Sequence, residues 1–334
     1  MKKICSLSVM LFALLGLFTA CDNKDDITPA VTPDADIYIA GIDYYNSYQA
    51  LVWKGTDLIY ESPETIGLGA GMDYNSLFVR GNDIYGAGRV QGQAAIWKNG
   101  KATLLSIEGY PCGESGSGTS SVYVTPEGDV YVAGGICNNP ALWINGELNI
   151  LQGVEKGYAY SVFVHGKDVY VVGKSHLPNS RGQAILWKNG ILQVLSENIL
   201  SIATQVQVAQ NGDVYVLGGV ENTHVYWIAN KSEQVTIPLD GASSIYVKED
   251  DVYVAGVIRG AAQYEFISAV WKKGKEVQYL TGSAQGNTAN SIVVSHNDNV
   301  YVVGTEEGNA VLWKNGTKHL LKENAEARSI VFKQ

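Results

Sequence analysis

Asp168-Val169-Tyr170-Val171-Val172-Gly173, followed by Ile185-Leu186-Trp187-Lys188-Asn189-Gly190, is one copy of a pattern that runs through the chain. Its first half reads acidic residue or Asn, aliphatic, Tyr, any two residues, Gly. The tyrosines are Tyr38, Tyr85, Tyr131, Tyr170, Tyr215, Tyr253 and Tyr301, and the glycines three positions on are Gly41, Gly88, Gly134, Gly173, Gly218, Gly256 and Gly304. The second half places an apolar pair and a tryptophan before a turn. All seven tryptophans occur there, as Trp53, Trp97, Trp143, Trp187, Trp227, Trp271 and Trp313, spaced 40 to 46 residues apart.

A period of 40 to 46 residues is that of four-stranded blades arranged around an axis. The fourth copy supplies the strands: Val162 to Val164 belongs to an inner strand, followed by Asp168 to Val172, Ala184 to Trp187 and Leu192 to Leu195. Each has strand length and composition, and Asn189-Gly190 is a two-residue hairpin signal. The first copy starts at Asp36 with no inner strand before it, while the chain ends on a lone one, Arg328-Ser329-Ile330-Val331-Phe332. The expected fold is all-β: a seven-bladed β-propeller over residues 36–334, closed by the C-terminal strand completing the first blade and leaving no open edge there. Recurrence in every blade marks the repeated Tyr and Trp residues as core.

Upstream of the repeats, Lys2 and Lys3 precede an apolar run from Ile4 to Leu17 that is short for a membrane span. Residues 1–20 read as a signal peptide. Phe18-Thr19-Ala20-Cys21 resembles a bacterial lipobox, which implies lipidation of Cys21, and Asp22-Asn23-Lys24-Asp25-Asp26 resembles the charged export signal of Bacteroidota-type lipoproteins. The resemblance implies an outer-membrane lipoprotein at the cell surface, held through the lipid anchor only. Residues 21–35, with Pro29 and Pro33, read as a tether of at most roughly 50 Å. The turn of apolar residue, Trp, any residue, Asn and Gly resembles the W-x-N-G repeats of exported bacterial proteins, the HAF type. That resemblance covers residues 36–334 and implies architecture rather than an activity.

The formal charge is −9, and loss of Lys2 and Lys3 makes the remainder two units more negative. Nucleic acid is excluded as a main partner, because phosphates attract dense basic patches and none is present. Of the four cysteines, Cys112 and Cys137 remain after Cys5 and Cys21, and in an exported chain they are expected to form a disulfide.

Alternating strand direction puts the second-to-third and fourth-to-first connections on one face. Those connections are long: 41–49, 62–75, 106–120, 174–183 and 257–268. The hairpin turns of the other face are short throughout. Long loops on a rigid scaffold are where recognition usually resides. The candidate ligand-binding residues there are Tyr44, Tyr45, Tyr48, Tyr74, Tyr110, Tyr160, His176, Arg181, Arg259, Tyr264 and Arg328, accompanied by Arg89, Tyr158 and Phe266. Aromatic faces stack on sugars and rings, and guanidinium groups pin carboxylates or hydroxyls.

No motif commits to a reaction. His165, His176, His224, His296 and His319 fall in different copies with no metal-ligand spacing, so no metal is expected, and no cofactor or catalytic residue is assigned. The leading expectation is a surface binding protein that captures a glycan or small-molecule nutrient, such as a conjugated cofactor, and passes it to an outer-membrane transporter or enzyme. The alternative is a scaffold that docks another envelope protein. A third reading, a glycan-active enzyme, would need a carboxylate pair drawn from separate blades, such as Glu61 or Glu64 with Glu265 or Glu326.

Overall fold

Seven antiparallel sheets, each led by an inner strand, make up the unit Pro33–Gln334. The computed structural model describes residues 37–44, 49–62, 77–90, 92–110, 116–177 and 181–334. Residues 1–36 lie outside the described residues, and with them the signal peptide, Cys21 and the tether.

Blade 4 shows the plan: Gly157–His165 inside, then Asp168–Ser175, Ala184–Lys188 and Ile191–Val194 outermost. In blade 1 the inner strand is the last of the chain, Ala325–Phe332, paired with Ile37–Asp43 from Ile37 opposite Phe332 to Asp43 opposite Ala325. Each inner strand lies against the next, and that of blade 7, Thr288–Val294, lies against Ala325–Phe332. The result is a closed seven-bladed propeller, as the repeat count predicts.

The core sits between blades. Each seam has its own apolar cluster: Tyr301, Leu312, Trp53 and Ile330 fill the seam of blades 7 and 1, and Val172, Leu186, Val216 and Trp227 that of blades 4 and 5. Trp53, Trp143, Trp187 and Trp313 are fully buried. Burial of this kind is worth roughly 3–5 kcal/mol per tryptophan against truncation to Ala.

Polar staples join the inner strands. Ser121 Oγ accepts the N–H of Val162 in the next blade (3.2 Å), Ser161 that of Val206 (3.3 Å), Ser244 that of Ile292 (3.4 Å) and Ser291 that of Ile330 (3.3 Å). In blade 5 glutamines do the same, Gln205 for Ile245 (2.8 Å) and Gln207 for Val247 (2.7 Å). Inner-strand N–H groups that would be orphaned are thereby satisfied.

The repeated motifs meet on the hairpin face. Asn189 and Gly190 have φ of 52° and 80°, the two positive values of a type I′ turn. Asn189 Oδ1 accepts the Val169 N–H, and its Nδ2 donates to Asp168, both at 2.8 Å. Lys188 Nζ lies 2.7 Å from Asp168 and 5.2 Å from the Tyr170 ring centroid. Asp83, Lys98 and Asn99 repeat this clamp in blade 2. Asp129 with Asn145, and Asp213 with Asn230, repeat its Asn-to-Asp half. The signal that reveals the fold is thus a structural clamp, and this face is committed to holding the blades together.

Candidate functional site: a cleft between blades 5 and 6

On the opposite face, the connection between the second and third strands differs in height from blade to blade. Blade 5 turns tightly: Val214–Val220 and Thr223–Ile228 are joined by Glu221 and Asn222 alone, with Glu221 at φ 54°. Blade 6 is taller. Its strands Asp251–Arg259 and Glu265–Lys272 stay paired up to Arg259 opposite Phe266. The tip is tied by Gly260 N–H to Glu265 O (2.8 Å), and Glu265 Oε2 accepts from Ser283 Oγ (3.0 Å). A short turn beside a tall hairpin leaves a cleft of about 630 Å³ on the long-loop face. That volume is in the range of small-molecule sites.

The cleft floor is Ile202, Thr204, Gly218 and Ala242, with Leu200 and Thr223 at the edge. Gly218 is the repeat glycine of blade 5; a Cβ there would stand 2.0 Å from Ile202 O, so the strand pair beneath the cleft is drawn close by the motif itself. Glu221, His224, Asp240 and Arg259 supply the chemistry. Asp240 precedes the inner strand Gly241–Lys248, and its Oδ2 accepts the Arg259 N–H at 2.9 Å. Glu221 Oε1 accepts from Asn198 Nδ2 at 2.8 Å. One oxygen of each carboxylate thus remains for a ligand. The Arg259 guanidinium, exposed, makes no ion pair among the described residues. Acceptors, donors and an imidazole over a small apolar floor suit a ligand bearing several hydroxyl groups.

Of the residues singled out from the sequence, Arg259 lines this cleft, and Tyr264, 70% exposed at φ 65°, crowns the blade 6 hairpin. Tyr44 and Arg328 come together at the seam of blades 7 and 1. The Tyr44 hydroxyl donates to Glu326, Arg328 Nε donates to Glu326 at 3.0 Å, and Asn290 Nδ2 donates to its other oxygen at 3.0 Å. Burial and the Glu326 carboxylate push the Tyr44 phenol up to about 12. Glu326 is therefore held by its own neighbours, as Glu265 is by Ser283, and Glu61 lies 4.0 Å from the Lys322 ammonium.

Tyr160 stands at the bulge of the blade 4 inner strand, its ring 5.1 Å from that of Tyr158, and burial raises its phenol pKa. Tyr158 rests on Gly135, where a Cβ would stand 2.5 Å from the ring. His176 and Arg181 share the blade 4 loop, where Leu177 N–H bonds Arg181 O at 2.8 Å; burial, then Lys174, lowers the His176 pKa. Tyr110 packs on the apolar cluster between blades 2 and 3. Cys137 sits in the tight turn of blade 3 at φ 49°. Tyr45, Tyr48, Tyr74, Glu64 and Cys112 lie outside the described residues. Glu221, His224 and Asp240 were missed because no spacing in the sequence links them; only the unequal heights of two hairpins do.

No family model matches the chain, and no curated protein matches it. Solved structures do. A puromycin-hydrolyzing peptidase of Mycobacterium tuberculosis superposes with a TM-score of 0.58 at 11% identity, over 88% of this chain and 53% of that one. The likeness is one of fold. This chain spans about half the length of the peptidase. A quinonprotein alcohol dehydrogenase-like protein of Bacteroides thetaiotaomicron gives 0.50 at 11% identity, over 89% and 78%. Virginiamycin B lyase of Staphylococcus aureus gives 0.50 at 10% identity, over 75% and 84%.

Proposed function

We propose that the protein is a cell-surface binding lipoprotein that captures a polyhydroxylated nutrient, a glycan, in the cleft between blades 5 and 6. The observation that carries this reading is the cleft's lining: Glu221 and Asp240, each with one oxygen engaged, Arg259 without an ion pair among the described residues, and His224, over a small apolar floor. Hydroxyl groups of a sugar donate to the two carboxylates and accept from the guanidinium, while Ile202 and Leu200 cover a ring face. A partner transporter or enzyme of the outer membrane receives the ligand.

The test is a thermal-shift screen against oligosaccharides, with cobamides and haem as the conjugated-cofactor arm, since a ligand specific for the native state raises the melting temperature. An oligosaccharide shift that disappears in Arg259→Ala and His224→Ala supports the reading. A shift with a cofactor alone, or a sugar shift indifferent to both substitutions, contradicts it.

A docking role for another envelope protein is favoured by one observation: Leu177, Ile199 and Leu200 are 37%, 37% and 52% exposed on the same face. Crosslinking on intact cells with and without the captured sugar separates the two readings.

The anchor belongs to the same proposal. The lipobox-like Phe18-Thr19-Ala20-Cys21 and the acidic residues after it support lipidation at Cys21 and display on the outer face. The Trp-x-Asn-Gly turn supports kinship with HAF-type extracellular repeats. Labelled fatty acid is expected in the wild-type chain and not in Cys21→Ala. Cys137 is not a free thiol, and we assign Cys112 as its partner; non-reducing peptide mapping should recover the linked pair.

A further inference from the structure

The inner strands surround a channel of about 180 Å³ whose wall has two tiers. Ser121, Ser161, Gln205, Ser244, Ser291 and Ser329 form one, each opposite the residue before a repeat glycine. Two residues further on, opposite the seven repeat tyrosines, Phe78, Tyr123, Phe163, Gln207, Tyr246, Val293 and Val331 form the second, nearer the hairpin face.

The polar tier has more donors than the protein uses. Ser121, Ser161, Ser244 and Ser291 accept an N–H from the next blade, which engages a lone pair and leaves each hydroxyl proton without an acceptor among the described residues. Ser329, 1% exposed, has no hydrogen-bond partner among them. Gln205 and Gln207 commit their carbonyl oxygens to Ile245 and Val247, so the NH₂ of each planar amide is what remains. Among the described lining residues there is no Asp or Glu; the last residue, Gln334, closes the hairpin end, where its backbone bonds Val79 and Gly81.

A cation stands at the hairpin end. The Arg80 guanidinium lies 5.5 Å from the Phe78 ring centroid and donates to Val124 O at 2.7 Å. It has no carboxylate partner among the described residues, and its Nε is buried without a hydrogen bond. Buried donors without acceptors are the complement of a small anion, and the Arg80 charge, beyond the aromatic tier at the hairpin end, adds a positive field along the channel. The channel has room for at least about six waters, so a bound ion keeps part of its hydration.

The geometry points to a binding site for a monovalent inorganic anion of halide or nitrate size in the polar tier, held by serine hydroxyls and the amide of Gln205, with the Gln207 amide facing it from the second tier. The site is independent of the cleft. Bromide is the probe: anomalous diffraction from crystals of the chain grown in bromide, and melting in bromide against gluconate at equal ionic strength.

An anomalous peak in the polar tier is expected, with a saturable rise in melting temperature. Gln205→Glu keeps the acceptor for Ile245 and replaces the donor with an oxyanion, so the peak and the rise should both vanish. Ser329→Ala, which removes a donor with no protein partner, should weaken bromide several-fold in an unaltered fold. The proposal is overturned by water alone in the tier, by equal melting in bromide and gluconate, or by a peak that survives Gln205→Glu.

Discussion

A methyl group at Gly173 would stand 2.0 Å from Tyr158 O, and the same is true at Gly134, Gly218 and Gly304 against the carbonyl of their own inner strand. Each of those strands carries a bulge beside that carbonyl. The repeat glycine is therefore there to let the bulged strand approach. Gly173→Ala is expected to lower stability by roughly 3–5 kcal/mol, since backbone must move. Gly166→Ala, at φ 60° in open space, should cost only about 1–2 kcal/mol from its left-handed conformation. Urea denaturation of the two variants checks the ranking.

Protonation follows from contacts of the same kind. Lys98 and Asn99 hold the Asp83 carboxyl below its ordinary range, as Lys188 and Asn189 hold Asp168. A depressed carboxylate stabilises above its unfolded pKa of about 3.9, and that contribution is lost as pH falls through the folded value. Both groups are exposed, so salt should blunt the loss. Tyr44 and Tyr226 go the other way, each pushed up to about 12 chiefly by burial. Their contribution is full below about 10 and disappears as pH rises through 12. Phenolate absorbance should show a late-ionising group of tyrosines that includes these two; a single transition near 10 would contradict this.

At the scale of elements, the C-terminal strand carries the closure. Ala325–Phe332 pairs with Ile37–Asp43, and beyond it Gln334 exchanges backbone bonds with Val79 and Gly81 of blade 2 at 2.9 and 3.1 Å. Removal of residues 325–334 exposes the inner edge of Ile37–Asp43 and unseats both neighbouring seams. The truncated chain should melt lower and associate, as size-exclusion chromatography would report; a monomer with unchanged melting would contradict the closure. This element was legible in the sequence, because the first copy lacks a strand and the last has one to give. The repeat behind the clamp was legible too: Asp or Asn stands two residues before each repeat tyrosine, and Asn two after the tryptophan in four copies, as Asn99, Asn145, Asn189 and Asn315. Blade 6 was not: its outer strand is split into Gln278–Tyr279 and Ala284–Gln285, and the height of its hairpin depends on pairings such as Arg259 with Phe266 that leave no periodic trace.

Across the whole molecule the two faces divide the work. Repeated residues clamp the hairpin face, most fully in blades 2 and 4, and residues that do not repeat gather on the other, where blade 6 overhangs blade 5. Among the described candidate residues, Tyr44 and Arg328 are engaged by Glu326 at the seam of blades 7 and 1, and Arg259 lines the cleft. The decisive measurement is the hydrogen-exchange footprint of the oligosaccharide that gives the largest thermal shift. Slowed exchange is expected at residues 198–204, 219–224, 240–242 and 257–262, with the hairpin turns at Asn99, Asn145, Asn189 and Asn315 unchanged. Protection confined to those turns, or spread around the ring without the cleft segments, would contradict capture between blades 5 and 6.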